Sequence, residues 1–500
     1  MRQKIYLFTF FILGLITTKS QNSIITKWNT NINNDNSTQL KIPAVGSFTY
    51  SYQNTSNPTI IGSGSGNTGN TTLSLPQSGE YMITILPSSS FKFNFGNSAL
   101  LATDRKKITQ LLQWGNVNWN SDLSNMFLAC NNLQIIATDV PNFSGVTNMS
   151  GMFSLCQNTG DIPNINSWNV SNVTNFNSMF YSASNFNGNI SNWNTINATD
   201  MVGMFRDAII FNQNIGGWNT TNVTNMTTMF SGAKAFNQNI GNWNTTNVTS
   251  MSSMFQLTDN FNQNIGNWNT ANVTNMSAMF EYALAFNQNI GNWNTTNVTT
   301  MGHMFHEAHA FNQNLQNWNV SNVADLSLMF FAAYTFNQNL GSWLLNSNVD
   351  MTSMLQWSGI NCVNYSNTLK GWSENVNTPT NRSLGATSRN YGSVGQIYRN
   401  NLINNKGWNI TGDVYNASCD AVLSTTELSN KKLQIYPNPT NSDLFIRLEN
   451  NEKIQIFNSV GLLLKTFELK SGLNKIDISK FNKGEYIFKM QSGSYKIIKE

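Results

Sequence analysis

The chain has 500 residues, and only 10% of them are Asp, Glu, Lys or Arg, against roughly 25% in an ordinary soluble protein. The formal net charge of +4 belongs to the C-terminal end: residues 431–500 hold 12 of the 28 Lys and Arg and 7 of the 24 Asp and Glu, which leaves 16 basic and 17 acidic residues elsewhere. Nucleic acid or an anionic membrane demands clustered positive charge. The repeats offer none, so nucleic acid is not expected as a partner, and the middle of the chain predicts a surface of Asn, Thr, Ser and Gln.

Residues 1–20 read as a signal peptide: basic Arg2 and Lys4, an apolar run from Ile5 to Ile16, then Thr18-Lys19-Ser20, with cleavage expected between Ser20 and Gln21. An uncleaved anchor is the alternative, but the run falls short of the ~20 residues that a span needs. Export permits disulfides. Residues 21–100 predict a small N-terminal β module, with strands at Tyr81–Ile85 and Phe91–Phe95 and a Gly/Ser/Asn-rich loop over 62–70.

Residues 101–355 are repetitive. Phe180, Phe205, Phe230, Phe255, Phe280, Phe305 and Phe330 recur at a step of 25, as do Trp193, Trp218, Trp243, Trp268, Trp293, Trp318 and Trp343. The unit reads F-N-Q-N-I-x-x-W-N-T-x-N-V-T-x-M-x-x-M-F-x-x-A. Its apolar anchors are spread over its whole length, so one copy cannot bury them; stacked copies can. M-x-x-M-F-x-x-A has apolar residues at i, i+3, i+4 and i+7 and predicts a short helix, while Asn-Ile-x-x-Trp-Asn is the strand candidate. The expected fold is therefore an α+β repeat solenoid of about 25-residue coils, with residues 356–424 as its C-terminal cap and linker. Residues 425–500 predict a small antiparallel Ig-like β-sandwich, with strands at 444–448, 453–457, 463–468, 475–478, 484–489 and 495–498.

The repeat resembles that of the BspA-family leucine-rich-repeat-like surface proteins over roughly residues 101–420. That includes the approach Ile108-Thr109-Gln110-Leu111-Leu112-Gln113-Trp114-Gly115 and the exit with Gly371-Trp372, Arg399 and Gly407-Trp408. The resemblance implies a leucine-rich-repeat-like coil and adhesion at a bacterial surface. The C-terminal segment is similar to the type A sorting domain of the type IX secretion system. The motifs are Tyr436-Pro437-Asn438-Pro439-Thr440, Val460-Gly461 and Lys483-Gly484 with Tyr486. This implies the type IX machinery as a partner and a secreted location, on the outer cell surface or extracellular, in a Gram-negative bacterium.

Chemistry is sparse. The three histidines, His303, His306 and His309, fall in one copy beside Glu307. A metal site there competes with simple drift at solvent-facing positions, and drift is preferred because His309 leaves the face shared by the other two. No nucleophile–base arrangement or phosphate loop occurs, so neither enzyme activity nor a cofactor is expected. Cys130 and Cys156 occupy equivalent slots in consecutive copies and are either paired or free thiols filling a slot that later copies give to Ala. Cys362 and Cys419 flank the segment after the repeats, where a pairing would staple the cap. The Trp column reads as core rather than as a carbohydrate platform. Asn219-Thr220, Asn244-Thr245, Asn269-Thr270 and Asn294-Thr295 form a candidate ligand stripe for glycans, extracellular matrix or other cell-surface proteins; the alternative is hydrogen bonding within the coils. Adhesion, a passive stalk, an ice-binding face and a glycan-active enzyme are the functions weighed, in that order.

Overall fold

The computed structural model describes residues 21–32, 36–420, 434–436, 439–440, 442–448, 450–458, 462–490 and 493–500. The expected leader up to Ser20, and Pro437, Asn438 and Gly461 of the expected sorting motif, lie outside the described residues. The chain forms two compact units. One runs up to Arg389 and includes Tyr398–Val414; the other comprises Asn390–Ile397 with Tyr415–Glu500.

The first unit opens with strands β1 (Ile24–Asn29), β2 (Gln39–Val45), β3 (Phe48–Asn54), β4 (Ile61–Gly66), β5 (Gly69–Ser74), β6 (Glu80–Pro87), β7 (Lys92–Phe93), β8 (Ile108–Gln113) and β9 (Gln134–Ile135). They make a sheet of order β4-β3-β6-β1-β8-β9 and a smaller one of order β5-β2-β7. Alternation in β6 buries Tyr81, Ile83 and Ile85, as period-2 patterning requires. The Gly-rich stretch expected as a loop is instead most of β4 and the start of β5. Gly62 and Gly64 lie so close under the Tyr52 and Tyr50 rings that a Cβ at either would collide, which is why a strand there is built from glycine. The expected strand 91–95 shortens to β7.

The repeats overturn the expected α+β solenoid. From residue 122 to 350 the described residues hold neither an α-helix nor any strand beyond β9; one 3-10 turn, Ile165–Ser167, is the sole helical element. Consecutive copies are joined by single parallel bridges at Asp122, Asn148, Asn175, Asp200, Asn225, Ser250, Asn275, Thr300, Asp325 and Asp350. Backbone bonding explains why no helix forms. Met226, Thr228, Phe230 and Gly232 donate N–H to Ser250, Ser252, Met254 and Gln256 of the next copy, at 3.0, 2.9, 3.0 and 2.7 Å. The alternate residues Met229, Ser231 and Ala233 close local turns onto Met226, Thr228 and Phe230, at 3.2, 3.1 and 2.9 Å. Half the donors thus reach across to a neighbour, which an α-helix cannot allow because it consumes each interior N–H internally.

Two residues per copy, four apart, take left-handed φ: Ser253 and Leu257 at 53° and 56°, Ala278 and Tyr282 at 55° and 55°, His303 and Glu307 at 61° and 56°. Each interrupts a right-handed helix. Spacing forbids the helix too. Phe230 and Phe255 stack with ring centroids 5.7 Å apart, Phe236 and Phe261 at 6.0 Å, Trp268 and Trp293 at 6.4 Å, whereas helices pack about 8–10 Å apart.

Helix Cys362–Glu374 follows the last copy, with the Asn361 side chain accepting the Asn364 N–H at its N-terminus. It substitutes for a further copy: Trp372 Nε1 donates to Leu340 O at 3.1 Å, and Leu340 N–H donates to Thr368 Oγ1 at 3.0 Å. Met351 then bridges Leu384, and strand Ser383–Gly385 pairs in parallel with Asn409–Thr411.

In the second unit, strands Gln434–Tyr436, Asp443–Leu448 and Gly472–Asp477 form one sheet, and Leu463–Leu469, Glu452–Asn458, Gly484–Met490 and Gly493–Lys499 another. Leu444, Ile446, Ile476 and Ile478 share one core with Ile454, Ile456, Phe488 and Ile497. Gly484, at φ 148°, starts its strand. Tyr486 lies in the core and donates its hydroxyl to Asn482 O at 2.7 Å. Pro439 is exposed, and the next residue, Thr440, is buried.

Candidate functional site

The candidate stripe divides in two. Asn219, Asn244, Asn269 and Asn294 are exposed, but Thr220, Thr245, Thr270 and Thr295 are each 1% exposed. The threonine hydroxyls point inward because each donates to a carbonyl of the next copy, Thr220 to Asn244, Thr245 to Asn269, Thr270 to Asn294 and Thr295 to Asn319, all at 2.9 Å. Each exposed Asn folds back as an Asx-turn: the carbonyl oxygens of the Asn219, Asn244, Asn269 and Asn294 side chains accept from the backbone two residues on, at 3.0, 3.0, 3.1 and 3.1 Å. A second column, Asn222, Asn247, Asn272 and Asn297, is also exposed, and its amides donate to carbonyls of the preceding copy at 2.7–2.8 Å.

The sequence reading missed a third column. Thr224, Thr249, Thr274 and Thr299 are exposed, and the hydroxyls of the last three donate to Thr224, Thr249 and Thr274 carbonyls at 3.1, 3.2 and 3.1 Å. Its signal was present, a Thr after Val223, Val248, Val273 and Val298 at a constant step of 25. The exposed face is therefore a lattice of Asn and Thr side chains in register, without charge. The Trp rings lie underneath: Trp218, Trp243, Trp268 and Trp293 are 3–4% exposed, and each indole donates to an Ile carbonyl 28 residues earlier at 3.1 Å.

His309 stands apart from His303 and His306, but not by a helical face, since no helix carries them, and the His306 side chain, 13% exposed, is not at a solvent-facing position. His303 and His306 stand together, and the structure adds Glu281 from the preceding copy. His306 Nδ1 lies 2.9 Å from Glu281 Oε1, His303 Nδ1 is 3.5 Å from the same oxygen, and the two Nδ1 atoms are 3.4 Å apart. The second carboxylate oxygen of Glu281 accepts the Gln256 amide. Burial pushes the Glu281 carboxyl up, but the bonds from His306 and Gln256 and the nearby imidazoles outweigh it and hold the carboxyl below its ordinary range. His309 turns away to Glu307, 2.7 Å from Nε2 to Oε2. Glu281 could have been found from the sequence, because Gln256, Glu281 and His306 occupy one slot in three successive copies.

Cys362 and Cys419 are disulfide-bonded. Cys130 and Cys156 are free and fully buried, so the core-filling alternative describes them. The Cys156 thiol donates to Phe127 O at 2.8 Å, and burial pushes its pKa up to about 12. Burial likewise raises Cys130.

Among the described residues no helix is long and apolar enough to cross a membrane. Residues 434–500 match a secretion system C-terminal sorting domain, which assigns the chain to type IX secretion, as a secreted cell-surface protein that engages that machinery. Among curated proteins, none matches the chain. The repeats match a second family in four overlapping segments, 121–216, 156–266, 204–312 and 250–372, which together cover just over half of the sequence. The chain accordingly belongs to the family described as Mycoplasma protein of unknown function, DUF285.

Proposed function

We propose that the exported protein is a non-catalytic adhesin of BspA type that binds a neutral, hydroxyl-rich or amide-rich partner through its Asn/Thr face. The supporting observation is the in-register exposure of the Asn219, Asn222 and Thr224 columns through successive copies. Each copy offers the same weak polar contact, and repetition raises avidity without any single deep site. Glycans, extracellular matrix and other cell-surface proteins have the right chemistry. The neutrality of the face predicts binding that persists at high salt, because little of it is Coulombic.

The test is an array of glycans and matrix proteins probed with the full-length protein, alongside a variant carrying Thr224→Lys, Thr249→Lys and Thr274→Lys. Salt-resistant binding that the triple variant loses, with an unchanged circular dichroism spectrum, is the expected result. A blank array together with unaltered attachment of a deletion strain would defeat the proposal. That outcome would favour a passive spacer, a reading supported by the inward hydroxyls of the Thr220 column and the amides of the Asn222 column, which bond to neighbouring copies.

A further inference from the structure

The geometry points to a divalent transition-metal site at Glu281, His303 and His306, with Zn2+ as the ion it suits best. The three candidate ligand atoms are Glu281 Oε1, His303 Nδ1 and His306 Nδ1, and their separations are 2.9, 3.4 and 3.5 Å. Zn2+ binds imidazole nitrogen and carboxylate oxygen at about 2.0–2.2 Å, so two ligand atoms on one ion stand about 2.9 Å apart at octahedral and about 3.4 Å at tetrahedral angles. The observed triangle has those dimensions. A point about 2.1 Å from all three atoms lies about 0.9 Å off their plane, which leaves the opposite side of the ion for a further ligand.

The donor set has the right chemistry. Two imidazoles with one carboxylate suit Zn2+ and its borderline neighbours Co2+, Ni2+ and Cu2+, and disfavour Ca2+ or Mg2+, which take oxygen ligands. Access and rigidity divide between the residues. The His303 side chain is 41% exposed, while those of His306 and Glu281 are 13% exposed. The His306 ring is held between Tyr282 and Phe331, with centroids 5.2 and 5.0 Å away. Gln256 fixes the other carboxylate oxygen of Glu281. Partners of this kind behind the ligands orient them before the ion arrives and are worth about 10–100-fold in affinity.

The repeat itself made this arrangement. Side chains in one slot of successive copies stand in a column, so His306 falls directly against Glu281, and His303 joins from three residues earlier. The slot of His303 is filled by Ser253 and Ala278 in the two preceding copies, and that of His306 by Gln256 and Glu281. An ion there would clip two successive copies together. The inference does not rest on the adhesive reading.

The experiment is calorimetric titration of the full-length protein with ZnCl2, repeated for Glu281→Gln, His303→Ser, His306→Gln and His309→Ala. The first three substitutions install residues that neighbouring copies already fold with, and circular dichroism checks each variant. The expected result is one equivalent of Zn2+ bound, weakened at least about 10-fold by each of the first three changes and unaltered by His309→Ala. Co2+ should give ligand-field absorption that His303→Ser and His306→Gln abolish. Absence of saturable Zn2+ binding overturns the proposal, as does stoichiometric binding that survives both histidine changes; Glu281 and His306 would then be no more than a hydrogen-bonded pair.

Discussion

Replacing Trp168 and Trp268 in turn by Phe isolates one hydrogen bond inside the repeat core. Both rings are 3% exposed, so each substitution removes the same atoms from an equally dry place, at a cost of about 2 kcal/mol for the lost burial. The indole donors differ. Trp268 Nε1 donates to Ile240 O at 3.1 Å, whereas Trp168 Nε1 is buried and finds no acceptor among the described residues. Trp268→Phe therefore also loses a bond worth about 1 kcal/mol, while Trp168→Phe removes an unsatisfied donor and regains about 1–3 kcal/mol. The expected totals are about 3 kcal/mol for Trp268→Phe and near zero for Trp168→Phe. Urea unfolding of the full-length protein, followed by far-ultraviolet circular dichroism, should separate the two midpoints by roughly 0.5–1 M. Equal midpoints would refute the reasoning, since they would mean that the indole bonds to preceding copies contribute nothing to holding the stack.

Other outcomes follow from the same contacts. Thr270→Val should cost about 1 kcal/mol or more, because its buried hydroxyl donates to Asn294 O, whereas Thr274→Val on the exposed face should stay within about 0.5 kcal/mol; equal effects in the same unfolding assay would contradict the division of the stripe. At pH 8 neither Cys130 nor Cys156 should react with iodoacetamide, since burial disfavours the thiolate and holds Cys156 up to about 12. Mass spectrometry should find two alkylated cysteines after unfolding in urea and four after unfolding with reductant. Deleting 434–500 should leave the protein in the periplasm, and its normal appearance at the surface by antibody labelling would contradict the role of the sorting domain.

The periodic anchors made the stacking legible in the sequence, because a unit with Phe, Trp and Met over its whole length has no other way to bury them. The local backbone was not legible. Apolar residues at i, i+3, i+4 and i+7 fit a helix, and they fit equally a run of overlapping four-residue turns in which alternate N–H groups bond to the next copy. The distinguishing feature is the left-handed φ at Ser253 and Leu257 or at Ala278 and Tyr282; Gly occupies these slots only in scattered copies, at Gly151, Gly203 and Gly232, too irregularly to announce it. The inward Thr220 and outward Thr224 columns are the same residue type in one unit, so composition could not separate them. Only the carbonyl each hydroxyl reaches does so. The C-terminal strands were readable because their alternation is local, as at Leu444 and Ile446.

The joint between copies is uniform. From Phe180 to Phe330 each repeat Phe bonds to the next copy across 24 residues, as Phe230 does to Met254, Phe255 to Met279 and Phe280 to Met304, and the indoles from Trp193 to Trp343 reach back 28. Unequal crossing-over within the gene would add or delete 25 codons at a time, and the product would re-form every one of these bonds with its new neighbour. Lineages can therefore lengthen or shorten the array by whole units at little thermodynamic penalty, while a loss of one or two residues inside a unit would throw all its partners out of register.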